Sequence, residues 1–577
     1  MFQTLKNFFD FCEEKERKQF YLSILFSLVQ AVFEALKIPA IACMVSALLE
    51  NNVTGKTCLL CLGIMLVSII GAGCCKTKST LLQTEGGYET SAKKRMKIAE
   101  HMRYLPMGYY NENSLGQIVS VTTNTMQNLE NVSHRVVMLV CSGLLTTAVI
   151  TLAVLIFDWR TGLILCTGLC LFFLVNKLMM QRSDAMAKQK NAKDAALVAG
   201  VMEYVQGISE VRSYCLTGDK SRRLNQAIDE NEKANTEIEV KLLPFITLQS
   251  FLLKTFGTLM ILASVMLYLN GSMTLLSCIV IIISSYIIYA QLDTVGKYTA
   301  HLRIMDVGVK SANAILQTPQ MDISGENITP ARCDIEAENI RFAYENRDII
   351  QDVSLKIPAG STTAIVGPSG SGKTTLVNLL SRFWDVDSGS VLLGGRNVRD
   401  YSMDAFMQNF SFVFQRVYLF QDTIANNIRF GQPEATMEQV IEAAKKACCH
   451  EFISALPDGY NTVIGEGGAS LSGGEKQRIS IARAIMKDAP VIVLDEATAN
   501  VDPENEADLM QAIDALTKEK TVIMIAHRLK TVVNASQILV IEHGKIVQKG
   551  THSQLIKQEG IYQRFIQGRK KAVSWRL

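Results

Sequence analysis

The sequence predicts two folds in tandem: an α-helical membrane domain of six spans, then an α/β domain built around a phosphate-binding loop. Three observations predict it. Six apolar stretches of bilayer length fall within the first 292 residues, alternating strand and helix patterns begin near residue 332, and Gly367–Thr374 spells a phosphate loop. A chain of 577 residues exceeds one ordinary core, so at least two domains are expected. The 48% hydrophobic content and the mean hydropathy of +0.18 average over a sharp split between the two halves.

A helix needs about 20 residues to cross a bilayer. The stretches 20–49, 57–75, 134–157, 161–181, 244–269 and 272–292 meet that length. The short gaps 50–56, 158–160 and 270–271 carry only Lys56 and Arg160 as basic residues. The long gaps 76–133 and 182–243 are strongly charged, with Lys93, Lys94 and Arg95 in one and Arg222 and Arg223 in the other. Cytoplasmic loops carry the excess of Lys and Arg, so both long gaps face the cytoplasm, and both termini with them. Their helical periodicity predicts spans that continue far beyond the bilayer, with turns at Pro106–Gly108 and Gly207. The expected organisation is a transmembrane domain over 1–316, a linker over 317–331 marked by Pro319, Gly325 and Pro330, and an α/β domain over 332–577.

A net charge of +3 on this length gives no reason to expect a nucleic-acid partner. The 14 cysteines form no disulfide framework; Cys141, Cys166, Cys170 and Cys278 lie in apolar stretches, where cysteine behaves as a small hydrophobe. Cys58 and Cys61 have CxxC spacing, but no second pair completes a tetrahedral metal site.

Three motifs carry chemistry. Gly367, Ser369, Gly370, Ser371, Gly372, Lys373, Thr374 and Thr375 follow the strand pattern Thr362–Val366 and open a helix. Glycines let backbone N–H groups close around phosphate oxygens at the helix N-terminus, Lys373 reaches the β- and γ-phosphates, and the Thr374 hydroxyl suits Mg²⁺. Val491–Asp495 is a second apolar strand ending in adjacent carboxylates, Asp495 for the metal and Glu496 for the attacking water. Leu471, Ser472, Gly473, Gly474 and Glu475 precede a helical stretch and offer a second anion site at a helix N-terminus.

LSGGE between a phosphate loop and LDEAT resembles the ABC ATPase signature, and six spans followed by one such domain resemble an exporter-type ABC half-transporter over essentially the whole chain. The resemblance implies ATP and Mg²⁺ as ligands, ATP hydrolysis coupled to transport, and a bacterial inner-membrane location with the ATPase domain in the cytoplasm. It further implies roles for Tyr344 (stacking on adenine), Gln415 (coupling Mg²⁺ and water to the membrane domain), Asp502 (contact with the opposite subunit) and His527 (γ-phosphate switch). ATP in this family is sandwiched between the phosphate loop of one subunit and Ser472–Gly474 of another, so a second half-transporter, identical or related, is the expected partner. Pro106–Gly116 and Gly207–Tyr214 resemble the family's cytoplasmic coupling segments. Gly467 stands where many relatives have arginine, and Ala499, Asn500 and Val501 replace a commoner Ser-Ala-Leu. Neither departure removes a catalytic group.

Charge inside a span marks a candidate substrate contact, because each such residue costs about 2.5–3.5 kcal/mol at mid-helix. Glu34 and Lys37, three apart in the first span, are expected to face one another, and Lys254 in the fifth span has no local partner. The compact half-transporter form and the stretch Asp495–Glu506 resemble the bacterial siderophore-uptake branch, which implies import of an iron-siderophore or related metallophore. The architecture itself implies export of drugs, lipids or peptides, and a non-transporting ATP-gated switch is the third reading.

Overall fold

The computed structural model describes residues 2–110, 112–215, 222–344, 347–465, 471–495, 503–525 and 532–574. The chain forms two compact units, Met1–Leu105 with Tyr109–Pro319, and Pro106–Gly108 with Gln320–Leu577.

The first unit is helical. It comprises α1 (Phe2–Phe11), α2 (Glu14–Ala35), α3 (Lys37–Leu49), α4 (Gly55–Met102), α5 (Glu112–Ser120), α6 (Met126–Phe157), α7 (Trp159–Gln206), α8 (Ile208–Ser213), α9 (Arg222–Leu269) and α10 (Leu275–Leu316). Among the described residues, six helical segments are long and apolar enough to cross a membrane. Helices α4, α7 and α9 each run 48 residues, roughly 72 Å at 1.5 Å per residue against a hydrocarbon core of about 30 Å. Gly207 ends α7, as its position in the sequence suggests.

Two departures from ideal helix have local causes. The first span breaks at Leu36, between α2 and α3. Pro39 has no N–H to give the carbonyl of Ala35, four residues back, and its ring crowds that carbonyl. Between α5 and α6, Val121–Thr125 forms a π-helical turn, a form that recurs at functional sites. Arg95 on α4 serves its loosened backbone, with Nε donating to the Thr122 carbonyl at 3.0 Å while Nη1 meets Glu130 at 2.5 Å.

The second unit is a two-sheet α/β fold. Its strands are β1 (Ile335–Tyr344), β2 (Arg347–Ile357), β3 (Thr362–Val366), β4 (Ser388–Leu393), β5 (Arg396–Asn397), β6 (Phe410–Val413), β7 (Val491–Asp495), β8 (Thr521–Ile525), β9 (Gln537–Glu542) and β10 (Lys545–Gly550). The six-stranded sheet has the order β10-β9-β3-β8-β7-β6 and is parallel except at β10. Every residue of β8 is buried, as in a parallel sheet covered on both faces. The second sheet, β2-β1-β4-β5, is antiparallel and was not anticipated by the mainly parallel expectation.

The stretch expected as a linker is largely fastened to this unit. Glu326 exchanges backbone hydrogen bonds with Asp400 and Ser402, both at 2.8 Å. Arg382, fully buried, donates to the carbonyls of Val398, Tyr401 and Asp322 at 2.8, 3.1 and 2.5 Å and lies 3.3 Å from Asp385. Arg382→Met keeps the length and removes every donor, orphaning those carbonyls. It should lower the unfolding free energy of the second unit by roughly 2–4 kcal/mol, read from urea unfolding of the detergent-solubilised chain; an unchanged midpoint would show that other donors replace it.

Candidate nucleotide site

The parallel strands of the six-stranded sheet deliver the motif residues to one edge. Ile365 of β3 is level with Ile525 of β8, Ile525 with Asp495 of β7, and Leu494 with Val413 of β6. The loops leaving β3, β7 and β6 therefore open together at the carboxyl ends of the strands, where ligands bind in such sheets. Gly367–Gly372 leaves β3, Asp495 ends β7, and Gln415 follows β6 by two residues. Glu496, Asp502 and His527 lie outside the described residues, as do Glu466–Gly468 and Ala499–Val501.

The phosphate loop is shaped by backbone that other residues cannot adopt. Gly370 and Gly372 have φ of +76° and +101°, the left-handed region that carries no steric penalty for glycine. A Cβ on Gly367 would sit 2.1 Å from the Ile541 carbonyl oxygen. Gly544, in the β9–β10 turn, braces the loop from outside: its N–H donates to Ser371 O at 3.1 Å, and a Cβ there would meet Ile349 O at 2.1 Å. No sequence motif singled out Gly544; its place in a two-residue hairpin, His543-Gly544, is the signal that could have.

Lys373 is buried, and its Nζ donates to the carbonyls of Gly367 and Pro368 at 3.1 and 2.8 Å. The ammonium is thus held inside the loop it opens from. Ser371 is also buried, and its Oγ has no hydrogen-bond partner among the described residues. An orphaned hydroxyl beside a buried ammonium, in a loop too tight for Cβ atoms, fits an incoming phosphate. Thr374 is exposed and Thr375 buried on the helix Lys373–Leu380. Ser369 is exposed in the loop itself.

Tyr344 closes β1 and is a third exposed. It packs edge-on against Phe342 and Trp384, with ring centroids 5.0 and 5.5 Å away. Phe342 is level with Ile350, which lies against Gly372, so the end of the β1–β2 hairpin reaches the phosphate loop.

The LSGGE segment is a capping box. Ser472 Oγ accepts from the Glu475 N–H at 3.3 Å and Glu475 Oε2 accepts from the Ser472 N–H at 2.7 Å, opening the helix Gly473–Lys487. Such a box spends the motif's side chains on the helix start and leaves the Gly473 and Gly474 N–H groups for another acceptor. Three long side chains that the sequence reading passed over fix this helix in place. Gln477 Nε2 donates to Phe414 O at 3.3 Å, Arg483 Nε to Asn427 O at 2.9 Å, and Lys487 Nζ to Met407 O at 2.8 Å. Burial pulls the Arg483 and Lys487 pKa values down from their usual range. Phe414, the acceptor for Gln477, directly precedes Gln415, and stacks on Phe412 at 5.5 Å. In the same unit the Met107 N–H donates to Phe383 O at 3.4 Å, and Phe383 packs 4.9 Å from Phe412.

The charged residues of the spans pair differently from expectation. Glu34 accepts from Gln30 Nε2 at 2.9 Å, one turn back, rather than pairing with Lys37. Lys254, exposed on α9, lies within electrostatic reach of Asp293 on α10. Asp293 also holds Lys297 at 2.6 Å and accepts from Ser250. Close by on α9, neither amide atom of buried Gln249 has a partner among the described residues. Leaving such a group unpaired costs about 1–3 kcal/mol, and more in hydrocarbon.

The loop geometry predicts the effect of a single methyl group. Gly372→Ala forces an L-residue to φ of +101° with its Cβ 3.1 Å from Ile350 Cδ1. Affinity for a fluorescent ATP analogue should fall roughly tenfold or more; wild-type affinity in the variant would show that the loop relaxes freely.

A family model described as ABC transporter transmembrane region matches residues 20–292, and one described as ABC transporter matches residues 350–499. The chain is 33% identical over 486 residues to the ATP-dependent lipid A-core flippase of Haemophilus influenzae, covering 81% of each chain. It is 31% identical over 512 residues to the flippase of the same name from Syntrophus aciditrophicus, covering 87% of this chain and 84% of that one. It is 32% identical over 493 residues to the putative multidrug export ATP-binding/permease protein YgaD of Bacillus subtilis, covering 81% and 82%. The fold matches that of a bacterial Atm1-family ABC exporter with ATP bound, at a TM-score of 0.85 and 22% identity over 96% of this chain and 98% of that one. The chain therefore belongs to the ABC transporter family, as a half-transporter that joins a membrane-spanning domain to an ATP-hydrolysing domain and couples ATP hydrolysis to transport.

Proposed function

We propose that this chain exports an amphipathic cargo from the cytoplasmic side of a bacterial inner membrane, working as a dimer of half-transporters with ATP and Mg²⁺. The similarity that extends over four-fifths of the chain to flippases and an export permease carries this reading. It favours the export alternative over siderophore import. The uptake reading rested on the compact half-transporter form, which exporters share, and on Asp495–Glu506, most of which lies outside the described residues.

In this reading each copy contributes half of a nucleotide site. Lys373, Ser371 and the N–H groups of Gly367, Ser369, Gly370 and Gly372 take the β- and γ-phosphates. The Thr374 hydroxyl, Asp495 and Gln415 supply oxygen donors for Mg²⁺, the hard-ligand set that this ion takes. Glu496 orients the attacking water, His527 contacts the γ-phosphate, and Tyr344 offers its exposed ring to adenine. Ser472, Gly473 and Gly474 of the other copy close the site, with Asp502 at the same junction. Pro106–Gly108 group with the ATP-binding unit although α4 leads into them, which suits a segment that carries the closure of that unit to the spans. Glu34, Lys37 and Lys254 remain candidates for contact with cargo; the sharing of Asp293 by Lys254 and Lys297 puts Lys254 first among them.

The test is vectorial. In proteoliposomes with ATP added outside, only copies with outward-facing ATP domains turn over. Fluorescent phospholipids and cationic dyes should leave the ATP-accessible leaflet or side in an ATP-dependent way. ATP-dependent accumulation on the ATP side, for metallophores or any other probe, would contradict export.

A further inference from the structure

Three cysteines near the ends of the first two spans take no part in the nucleotide site: Cys43 on α3, and Cys58 and Cys61 on α4. The sequence shows only the CxxC spacing of Cys58 and Cys61. The fold adds the third thiol. Helices α3 and α4 pack together as a hairpin, through the short gap that the charge pattern places on the side opposite the cytoplasm. Cys43 precedes the end of α3 at Leu49 by as many residues as Cys61 follows the start of α4 at Gly55, so the two are level across the hairpin. At 1.5 Å per residue that level is roughly 9 Å below the helix ends.

Contacts agree with this register. Cys61 Sγ donates to the Ala40 carbonyl at 3.5 Å, one turn before Cys43, and the Cys43 and Cys61 thiols are hydrogen-bonded to each other. An α4 side chain that reaches the α3 backbone means that the two helices approach closely there, and Ala40 is buried at the contact. Close approach is what a disulfide needs, since Cα atoms more than about 7 Å apart cannot be bridged without moving the backbone. Cys58 lies one turn nearer the connecting loop, is exposed, and is within electrostatic reach of Cys61. The break at Leu36 separates α3 from α2, so α3 depends on its packing against α4 for its place.

We infer that Cys43 and Cys61 are a disulfide-forming pair, and that Cys58 is the thiol through which a disulfide oxidant outside the cytoplasm, an oxidising compartment, reaches them. The steps are thiol–disulfide exchanges. Cys58 attacks the oxidant, forms a mixed disulfide and releases one thiol. Cys61 attacks the Cys58 sulfur and releases the second thiol. Cys43 then attacks Cys61, leaving the Cys43–Cys61 bond and returning Cys58 to its thiol form. Two thiols are oxidised, one external disulfide is reduced to two thiols, and each attacking thiol's proton passes to the sulfur that leaves. The bond ties the outer part of the broken first span to the second span.

The test uses the full chain in phosphatidylcholine nanodiscs, incubated with glutathione disulfide, alkylated with N-ethylmaleimide and cut with trypsin. Lys56 lies between Cys43 and Cys58, so the tryptic peptides 38–56 and 57–76 stay joined only through a disulfide. Mass spectrometry of the wild type should find them joined at Cys43 and Cys61, with Cys58 alkylated and the link lost in dithiothreitol. The oxidised chain should melt roughly 2–5 °C above the reduced one. Cys43→Ala and Cys61→Ala should each abolish the joined peptides. Cys58→Ala should form the same bond about tenfold more slowly with glutathione disulfide, yet at the wild-type rate with lipid-soluble 4,4′-dipyridyl disulfide, which needs no entry thiol. Alkylation of both Cys43 and Cys61 after either oxidant, or a bond that ends at Cys58, would overturn the pairing, and the wild type alone decides this. An unchanged rate with glutathione disulfide in Cys58→Ala would overturn the role given to Cys58.

Discussion

Hydrocarbon offers no water to an N–H, a C=O or a side-chain amide, and that single constraint organises the membrane half of this chain. Every span is a helix, which satisfies its own backbone. The exceptions are local and traceable, at Pro39 where the first span breaks and at Pro244 inside α9. The same constraint governs the side chains. Between α2 and α4, Ser79 donates to Ser23 O at 2.9 Å, Ser27 and Ser79 share a hydrogen bond at 3.0 Å, and Gln83 donates to Ser23 Oγ at 2.8 Å. That seam is polar but almost closed on itself, and it fastens two spans together. Asn176 and Gln249 are equally buried, but Asn176 Nδ2 and both amide atoms of Gln249 have no partner among the described residues.

In the ATP-binding half the organising device is the edge of a parallel sheet. Strand register alone brings the phosphate loop, Asp495 and the Gln415 segment side by side, before any side chain is considered. Elsewhere in this unit, buried or half-buried cations hold backbone carbonyls: Lys373 those of its own loop, Arg382 those of Val398, Tyr401 and, in the stretch expected as linker, Asp322, and Arg483 and Lys487 those beside the signature helix. Phosphate entering the loop competes with two carbonyls for Lys373, so binding and a local rearrangement of the loop are one event.

Much of this was legible in the sequence, and for definite reasons. The spans announce themselves through length and hydropathy, the phosphate loop through a glycine spacing with few structural uses, and LSGGE through Ser and Glu three residues apart, which is itself a capping-box spacing. What escaped the sequence depends on partners distant along the chain. Arg382 looks like a surface residue until Asp322 and Tyr401 fold over it. Lys254 looks unpartnered until α10 supplies Asp293. Glu34 and Lys37 look like an i,i+3 pair until the fold turns Glu34 to Gln30. The antiparallel sheet escaped because β1 and β2 mix buried and exposed residues along their length and lack the continuous apolar runs of β3, β7 and β8.

The central claim is that hydrolysis at the sheet edge drives cargo through the helical unit. Reconstituting Glu496→Gln beside the wild type, and following phosphate release and lipid movement in the same vesicles, tests it most directly. The account predicts that ATP still binds the variant while hydrolysis and lipid movement disappear together. Lipid movement that persists at the wild-type rate without phosphate release would contradict it.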